Sequence, residues 1–184
     1  MTSEAHGPPS VDLAPVTRRV VLARELFVSK DEHRFSCAHM TLFPDGTKER
    51  IHGHNYNVGV AVRWAGEQGF VDLSCLKAAL ASLCGELREH LLMPSLAERV
   101  TVVRCDGQST EMLVCGKRYV IPTEDVLWLP IGNVVVEELA EYLWRRMDEA
   151  LGDRLVAASV GTMEVTVTEA CGQGARYESS LRER

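Results

Sequence analysis

An α+β fold in a single domain is what this chain predicts. Three observations lead there: strand-like alternation at both ends of the pattern, two stretches with apolar residues at helical spacing, and a β-rich stretch between those two. From about Val20 to Met40, β-branched and aromatic residues alternate in part. A break near Lys30-Asp31-Glu32 predicts two strands or one bulged strand. In its second half Phe35, Cys37 and His39 share one face. The segment Thr41 to Arg50 contains Pro44-Asp45-Gly46, a turn signature, because proline presets φ and glycine accepts a positive one. Asn55 to Trp64 alternates again, with Tyr56, Val58, Val60 and Val62 on one face, so the two strands form a hairpin.

From about Ser74 to Leu92 the residues Leu76, Leu80, Leu83, Leu87 and Leu91 recur at helical spacing, with Ser74 as N-cap. Within Val100 to Leu129, Leu113-Val114 and Tyr119 to Ile121 read as short strands that turn at Cys115-Gly116-Lys117. A second helix is expected from about Val134 to Leu151, stopped by Gly152. Thr162 to Glu169 sets Met163, Val165 and Val167 against Glu164, Thr166 and Thr168, the pattern of a half-buried strand. The Ser-, Pro- and Gly-rich start reads as a mobile arm over residues 1–18, which leaves 19–184 as one domain.

Composition narrows the function classes. A chain of 184 residues can bury a proper core, and 46% hydrophobic with 25% charged residues is ordinary for a soluble globular protein. A net charge of −6 argues against nucleic acid as partner, though not against an anionic small molecule in a local basic pocket. No apolar run approaches the ~18 residues of a membrane helix, and no secretory h-region opens the chain. The expectation is therefore a cytoplasmic protein with no membrane partner. Six scattered cysteines without a C-x-x-C pair read as reduced thiols, so any metal here is held by histidine.

Three of the six histidines fall in two short segments, Phe35-Ser36-Cys37-Ala38-His39 and His52-Gly53-His54-Asn55-Tyr56. On an extended strand, residues at i and i+2 leave the same face with Cα atoms roughly 7 Å apart. That suits two ligands to one zinc ion, which binds imidazole nitrogen at about 2.0–2.1 Å. Alone, the His-x-His pattern also fits a metal-free surface turn. The hairpin that brings His39 beside His52 and His54 points instead to a three-histidine site with one position left for water or substrate.

These motifs, with three more in the same order, resemble the 6-pyruvoyl-tetrahydropterin synthase / 6-carboxytetrahydropterin synthase family. The others are Gly69-Phe70-Val71-Asp72-Leu73 with Leu76-Lys77, then Val136-Glu137-Glu138-Leu139-Ala140, then Val165-Thr166-Val167-Thr168-Glu169. The resemblance runs from about Arg24 to Tyr177. It implies the tunnelling fold: an antiparallel four-stranded sheet with two helices on one face, here with a small β-hairpin insert. It also implies a homo-oligomer, a trimer or a homohexamer of two stacked trimers, whose sheets join around a central barrel. Zinc on His39, His52 and His54 would hold and polarise the hydroxyls of a pterin's C6 side chain. A carboxylate at Glu169 would grip the pterin's amidine edge through two parallel N–H bonds. Alternatively, Glu169 is a solvent-facing strand end. Glu137 takes the place of the glutamate in the family's Pro-Thr-x-Glu element and becomes a further substrate-binding candidate.

The chain also departs from the family pattern. The usual base is a cysteine four or six residues before the first histidine of His-Gly-His; here Lys48 and Gly46 stand at those places. Glu49 stands three before, and the resulting Glu-x-x-His-Gly-His is similar to a subgroup in which glutamate replaces the cysteine. That subgroup cleaves the side chain of 7,8-dihydroneopterin triphosphate to 6-hydroxymethyl-7,8-dihydropterin. The other reading of Glu49 is a member of the charged loop Lys48-Glu49-Arg50, facing water. Where the family carries an Asp-His pair, Glu89-His90 replaces it in one alignment, while in another Arg88 and Glu89 fall there and the relay is lost. Val134-Val135 stands in place of Pro-Thr, which removes a threonine hydroxyl from the pterin site. Cys37 either reaches the metal, serves as base, or fills the place of the family's alanine. Lys48, Arg50 and Arg63 either receive a triphosphate or are surface charge.

The leading expectation is a zinc-dependent lyase acting on a small-molecule pterin substrate. His39, His52 and His54 hold the metal, Glu49, Glu89 and His90 are catalytic candidates, and Glu169, Glu137 and Lys48 are substrate-binding candidates. One alternative within the fold is a 6-pyruvoyl- or 6-carboxy-tetrahydropterin synthase using His90 or Cys37 for the missing cysteine. Another, of a different class, is a pterin- or purine-binding homologue without turnover.

Overall fold

The computed structural model describes residues 24–64, 66, 69–170 and 172–181, so the arm expected over 1–18 lies outside them. Strand β1 (Arg24–His39) pairs antiparallel with β2 (His52–Trp64). Their register shifts between Ser29 and Arg34, so the break seen near Lys30 is one bulged strand. Between β2 and the next strands lies helix α1 (Leu73–Leu87), followed by the short β3 (Leu91–Pro94). An inserted meander of β4 (Val100–Cys105), β5 (Ser109–Val114) and β6 (Lys117–Pro122) comes next. A 3-10 turn (Thr123–Asp125) leads to β7 (Val126–Leu129), helix α2 (Val136–Ala157), β8 (Thr162–Ala170) and β9 (Gln173–Ser180).

The expected antiparallel quartet is present as β1-β2-β8-β9, but the sheet does not stop there. Its order is β7-β3-β1-β2-β8-β9, six strands, because β3 adds parallel to β1 and β7 parallel to β3. The insert is likewise larger than a hairpin: β4, β5 and β6 form a separate three-stranded antiparallel sheet. The expected hairpin is its β5–β6 half. It turns at Cys115 and Gly116, with φ of 47° and 72°, the positive pair that a two-residue hairpin loop matching strand twist requires.

Helix boundaries need three corrections. Asp72, not Ser74, caps α1: its carboxylate accepts the Ser74 amide at 2.8 Å and the Ser74 hydroxyl at 2.6 Å. The helix ends at Leu87 rather than Leu92. Arg88 is extended, Glu89 adopts φ 62°, and its amide donates to the Ser36 carbonyl at 2.7 Å, so the chain swings back onto β1. Leu91 therefore continues the helical spacing by coincidence, as a strand residue. Gly152 does not stop α2; it is buried inside a helix that runs on to Ala157. The left-handed residue after the helix is Ser159, φ 61°.

Both helices cover one face of the sheet, α1 on β1 and α2 on β8 and β9, and they touch each other. Leu76 and Leu80 of α1 and Leu143 and Met147 of α2 meet Val62, Met163 and Val165 of the strands, all fully buried. A smaller core under the insert joins Met40, Met93, Met112 and Val114. No helix among the described residues is long and apolar enough to cross a membrane. Because Leu143 is fully enclosed, Leu143→Ala should cost about 2–5 kcal/mol. Urea melts should show a lower midpoint at an unchanged slope.

Candidate active site

The hairpin register assembles the site. His39 lies directly opposite His52, Cys37 opposite His54, and His52 and His54 share a face of β2. One ligand nitrogen from each of His39, His52 and His54 falls within 4.8 Å of the others, and ring centroids are 4.6 to 5.1 Å apart. The expected trio is thus brought together.

Two of the rings are oriented by backbone. His39 Nδ1 lies 2.9 Å from the Val134 carbonyl and His52 Nδ1 lies 2.9 Å from the Arg50 carbonyl. A carbonyl only accepts, so each Nδ1 carries the proton and each Nε2 presents a lone pair. His52 Nε2 and His54 Nε2 stand 3.0 Å apart. His52 Nε2 is bare, so this contact needs either a proton on His54 Nε2, which also lies 2.7 Å from Glu169 Oε1, or a cation between the two rings. Tetrahedral ligands at about 2.0–2.1 Å from one ion would be roughly 3.3 Å from each other. The donor set fits a metal ion. His39 is 3% exposed, and burial holds its pKa below the ordinary value, against the opposing pull of the Val134 carbonyl. The sign favours a neutral, ligand-ready ring at neutral pH.

Three carboxylates and a thiol were candidates around the trio. Glu169 arrives from the end of β8: its Oε1 is 2.7 Å from His54 Nε2, and its Oε2 accepts from Gln173. It stands at the rim of the trio rather than free in solvent. Glu49 is half-buried. Its Oε2 accepts the Thr41 amide at 3.2 Å and lies 3.9 Å from His52 Nε2. The loop that carries it is closed by a Leu42–Lys48 bridge and turns at Gly46, φ 89°, as Pro44-Asp45-Gly46 predicts. Hydrogen bonding from Thr41 keeps the Glu49 carboxyl below its ordinary pKa, so it is ionised at neutral pH. Glu137 is exposed in the first turn of α2, while its neighbour Glu138 accepts the Gly132 amide at 2.6 Å. Cys37 is buried, and burial pushes its thiol up to about 12, which speaks against a thiolate there.

The remaining candidates lie apart from the trio. Glu89 and His90 occupy the turn between α1 and β3, and among the described residues no hydrogen bond or ion pair joins them to it. Lys48 donates to the Glu49 carbonyl at 2.8 Å and stacks 5.0 Å over the Tyr119 ring. Arg63 is held by Glu25, Glu164 and Glu178 at 2.7 to 2.9 Å on the opposite sheet face, an ordinary structural ion cluster.

Several contributors gave no sequence signal. Asn133 clamps the trio's surroundings, its side chain bonding both the amide and the carbonyl of Leu42. Val134 serves through its backbone, which no side-chain pattern reveals. The Tyr56 hydroxyl lies 3.2 Å from His39 Nε2; its alternation showed burial but not this contact.

The sequence profile of the 6-pyruvoyl tetrahydropterin synthase family matches residues 28–180. The chain belongs to that family. A Methanocaldococcus jannaschii protein provisionally named 6-carboxy-5,6,7,8-tetrahydropterin synthase is 35% identical over 151 residues, 80% of this chain and 91% of the relative. Among solved structures, Plasmodium vivax 6-pyruvoyltetrahydropterin synthase, in a variant whose catalytic glutamate is replaced by cysteine, superposes with a TM-score of 0.78 at 27% identity. The superposition covers 86% of this chain and 99% of that one. The Plasmodium falciparum 6-pyruvoyl tetrahydropterin synthase gives the same TM-score of 0.78 and the same coverage at 25% identity. Family membership accounts for the lyase scaffold and for a metal-ready histidine trio.

Zinc titration of chelator-stripped protein should show one ion per chain. His39→Ala and His52→Ala should each abolish stoichiometric uptake, read by elemental analysis. Uptake that survives both substitutions would place the metal elsewhere.

Proposed function

We propose that this member of the 6-pyruvoyl tetrahydropterin synthase family is a zinc-dependent lyase that cleaves the C6 side chain of 7,8-dihydroneopterin triphosphate to 6-hydroxymethyl-7,8-dihydropterin. The observation that carries this reading is Glu49, an ionised carboxylate 3.9 Å from His52 Nε2 at the position three before His-Gly-His. The Plasmodium vivax relative supports it, since a glutamate is called the catalytic residue there.

A bound metal would polarise the side-chain hydroxyls it holds, as a Lewis acid does. The chain's own groups do the rest. Val134 and Arg50 keep His39 and His52 turned toward the substrate. Glu169 stands ready to accept N–H groups of the pterin ring. Glu49 accepts the proton of the C2′ hydroxyl, the C1′–C2′ bond breaks, and C2′ leaves as an aldehyde. The released electron pair is delocalised from C1′ into the pterin ring, and C1′ is then protonated, with His90 the candidate donor. Zinc as the metal, a cytoplasmic setting, the single domain and a homo-oligomer belong to the same proposal.

A second reading, 6-carboxy-tetrahydropterin synthesis, is favoured by the name of the 35% identical relative. Product analysis separates the two. Incubation with dihydroneopterin triphosphate should release a glycolaldehyde fragment, detected by mass. A product bearing a carboxyl at C6, formed with loss of the triphosphate and of the other two side-chain carbons, would point to carboxy-synthase chemistry. Glu49→Gln should lower kcat by roughly 10²–10⁴ while leaving zinc content intact. An undiminished kcat would remove Glu49 from the mechanism, and tight pterin binding with no product from wild type would mark a binding protein.

A further inference from the structure

We propose that the inserted meander is a clamp on the loop that carries Glu49, with Tyr119 as the positioning residue that holds the base in place through Lys48. This rests on the lyase reading above, in which Glu49 takes the proton. The loop over 41–50 needs such a hold. Its own ties are a Leu42–Lys48 bridge and two bonds between its ends. The Glu49 amide donates to the Thr41 carbonyl at 3.0 Å, and the Thr41 amide donates to the Glu49 carboxylate at 3.2 Å. Its tip at Pro44 and Asp45 is exposed. An exposed connection moves unless something packs on it, whereas a base must stay within about 0.5 Å of its working position.

The insert supplies the packing. Arg99, at the root of β4, donates to the Pro44 carbonyl at 3.2 Å, and its guanidinium lies so close to Gly46 that a Cβ there would collide with it. The β5–β6 turn reaches the next residue of the loop. There the Cys115 amide donates to the Arg99 carbonyl at 3.0 Å, and the Cys115 thiol faces the Thr47 carbonyl at 3.8 Å. Tyr119 of β6, opposite Met112 and packed on the small core, presents its ring to the Lys48 ammonium at 5.0 Å. The same ammonium donates to the Glu49 carbonyl at 2.8 Å. One cation thus ties the insert to the backbone of the base. Lys48 is half-buried, and the attraction of an ammonium for a ring face strengthens as water is excluded. Phosphate binding by Lys48 is the competing assignment, and it predicts a different kinetic change.

The test measures kcat and KM of zinc-loaded full-length protein on 7,8-dihydroneopterin triphosphate, and amide exchange in the loop by NMR. Tyr119→Leu and Lys48→Met should each lower kcat about three- to thirtyfold with KM little changed. The double variant should fall no further than the weaker single one, since both remove the same contact. Tyr119→Phe, which keeps the ring, should stay near wild type. In both single variants the Glu49 amide should exchange faster by a similar factor, while the Val60 amide in the middle of β2 is unaffected. A raised KM at unchanged kcat would make Lys48 a phosphate ligand and overturn the proposal. So would additive losses, or a Glu49 amide that exchanges as in wild type. Should no pterin be turned over at all, the lyase reading fails, and the exchange comparison still decides whether the insert holds the loop.

Discussion

The irregularity in β1 is the constraint on which the site depends. Below it Val28 pairs with Val60, and above it Phe35 pairs with Tyr56, so the sum of paired residue numbers changes by an odd amount. Side chains on a strand alternate faces, and an odd shift therefore exchanges the inward set. Even-numbered Val28 points into the core, and after the shift it is Phe35, Cys37 and His39 that do so. Had the register run on unchanged, His39 would leave the opposite face from His52 and His54, and no metal could touch all three. The bulge re-aims one of the three histidines.

What surrounds the trio comes from distant parts of the chain, and each part is fixed by its own backbone. The Val134 carbonyl that orients His39 is held by Asn133, which bonds Leu42 just beyond β1. Glu49 is folded back by the Thr41 amide, again just beyond β1. Glu169 arrives at the end of β8, the strand that pairs with β2 next to the two histidines. The two strands that carry the histidines thus also organise the loop that carries Glu49 and the strand end that carries Glu169.

The legible parts of the sequence were those written in periodicity and turn chemistry. The broken alternation at Lys30 gave the bulge, Pro44-Asp45-Gly46 the loop, and Cys115-Gly116 the tight hairpin. The illegible parts were those where two periods agree by chance or where the backbone acts. Leu91 stands four residues after Leu87, as a helix would place it, yet belongs to a four-residue strand buried throughout. So short an apolar run carries no period of its own, and β3 and β7 were absorbed into their neighbours for that reason. Gly152 read as a stop because glycine is a poor helix former, but in α2 it is buried, in a well-packed stretch where contacts outweigh propensity. The N-cap was misplaced by two residues because Asp72 and Ser74 are both good caps and only geometry separates them.

The choice of base follows from two opposing pressures on acidity. Burial pushes the Cys37 thiol up to about 12, so forming a thiolate there would work against desolvation. Glu49 has the reverse difficulty. Bonding from Thr41 keeps it ionised, which makes it always available yet a weak acceptor of protons from an ordinary alcohol. On the proposed reaction a weak base suffices only where the alcohol has itself been made acidic, and that is what a divalent ion held by the trio would supply. On the reaction proposed above, the lowered carboxylate and the metal-ready trio would be two halves of one device, set 3.9 Å apart at Glu49 Oε2 and His52 Nε2, and neither half would move the proton alone.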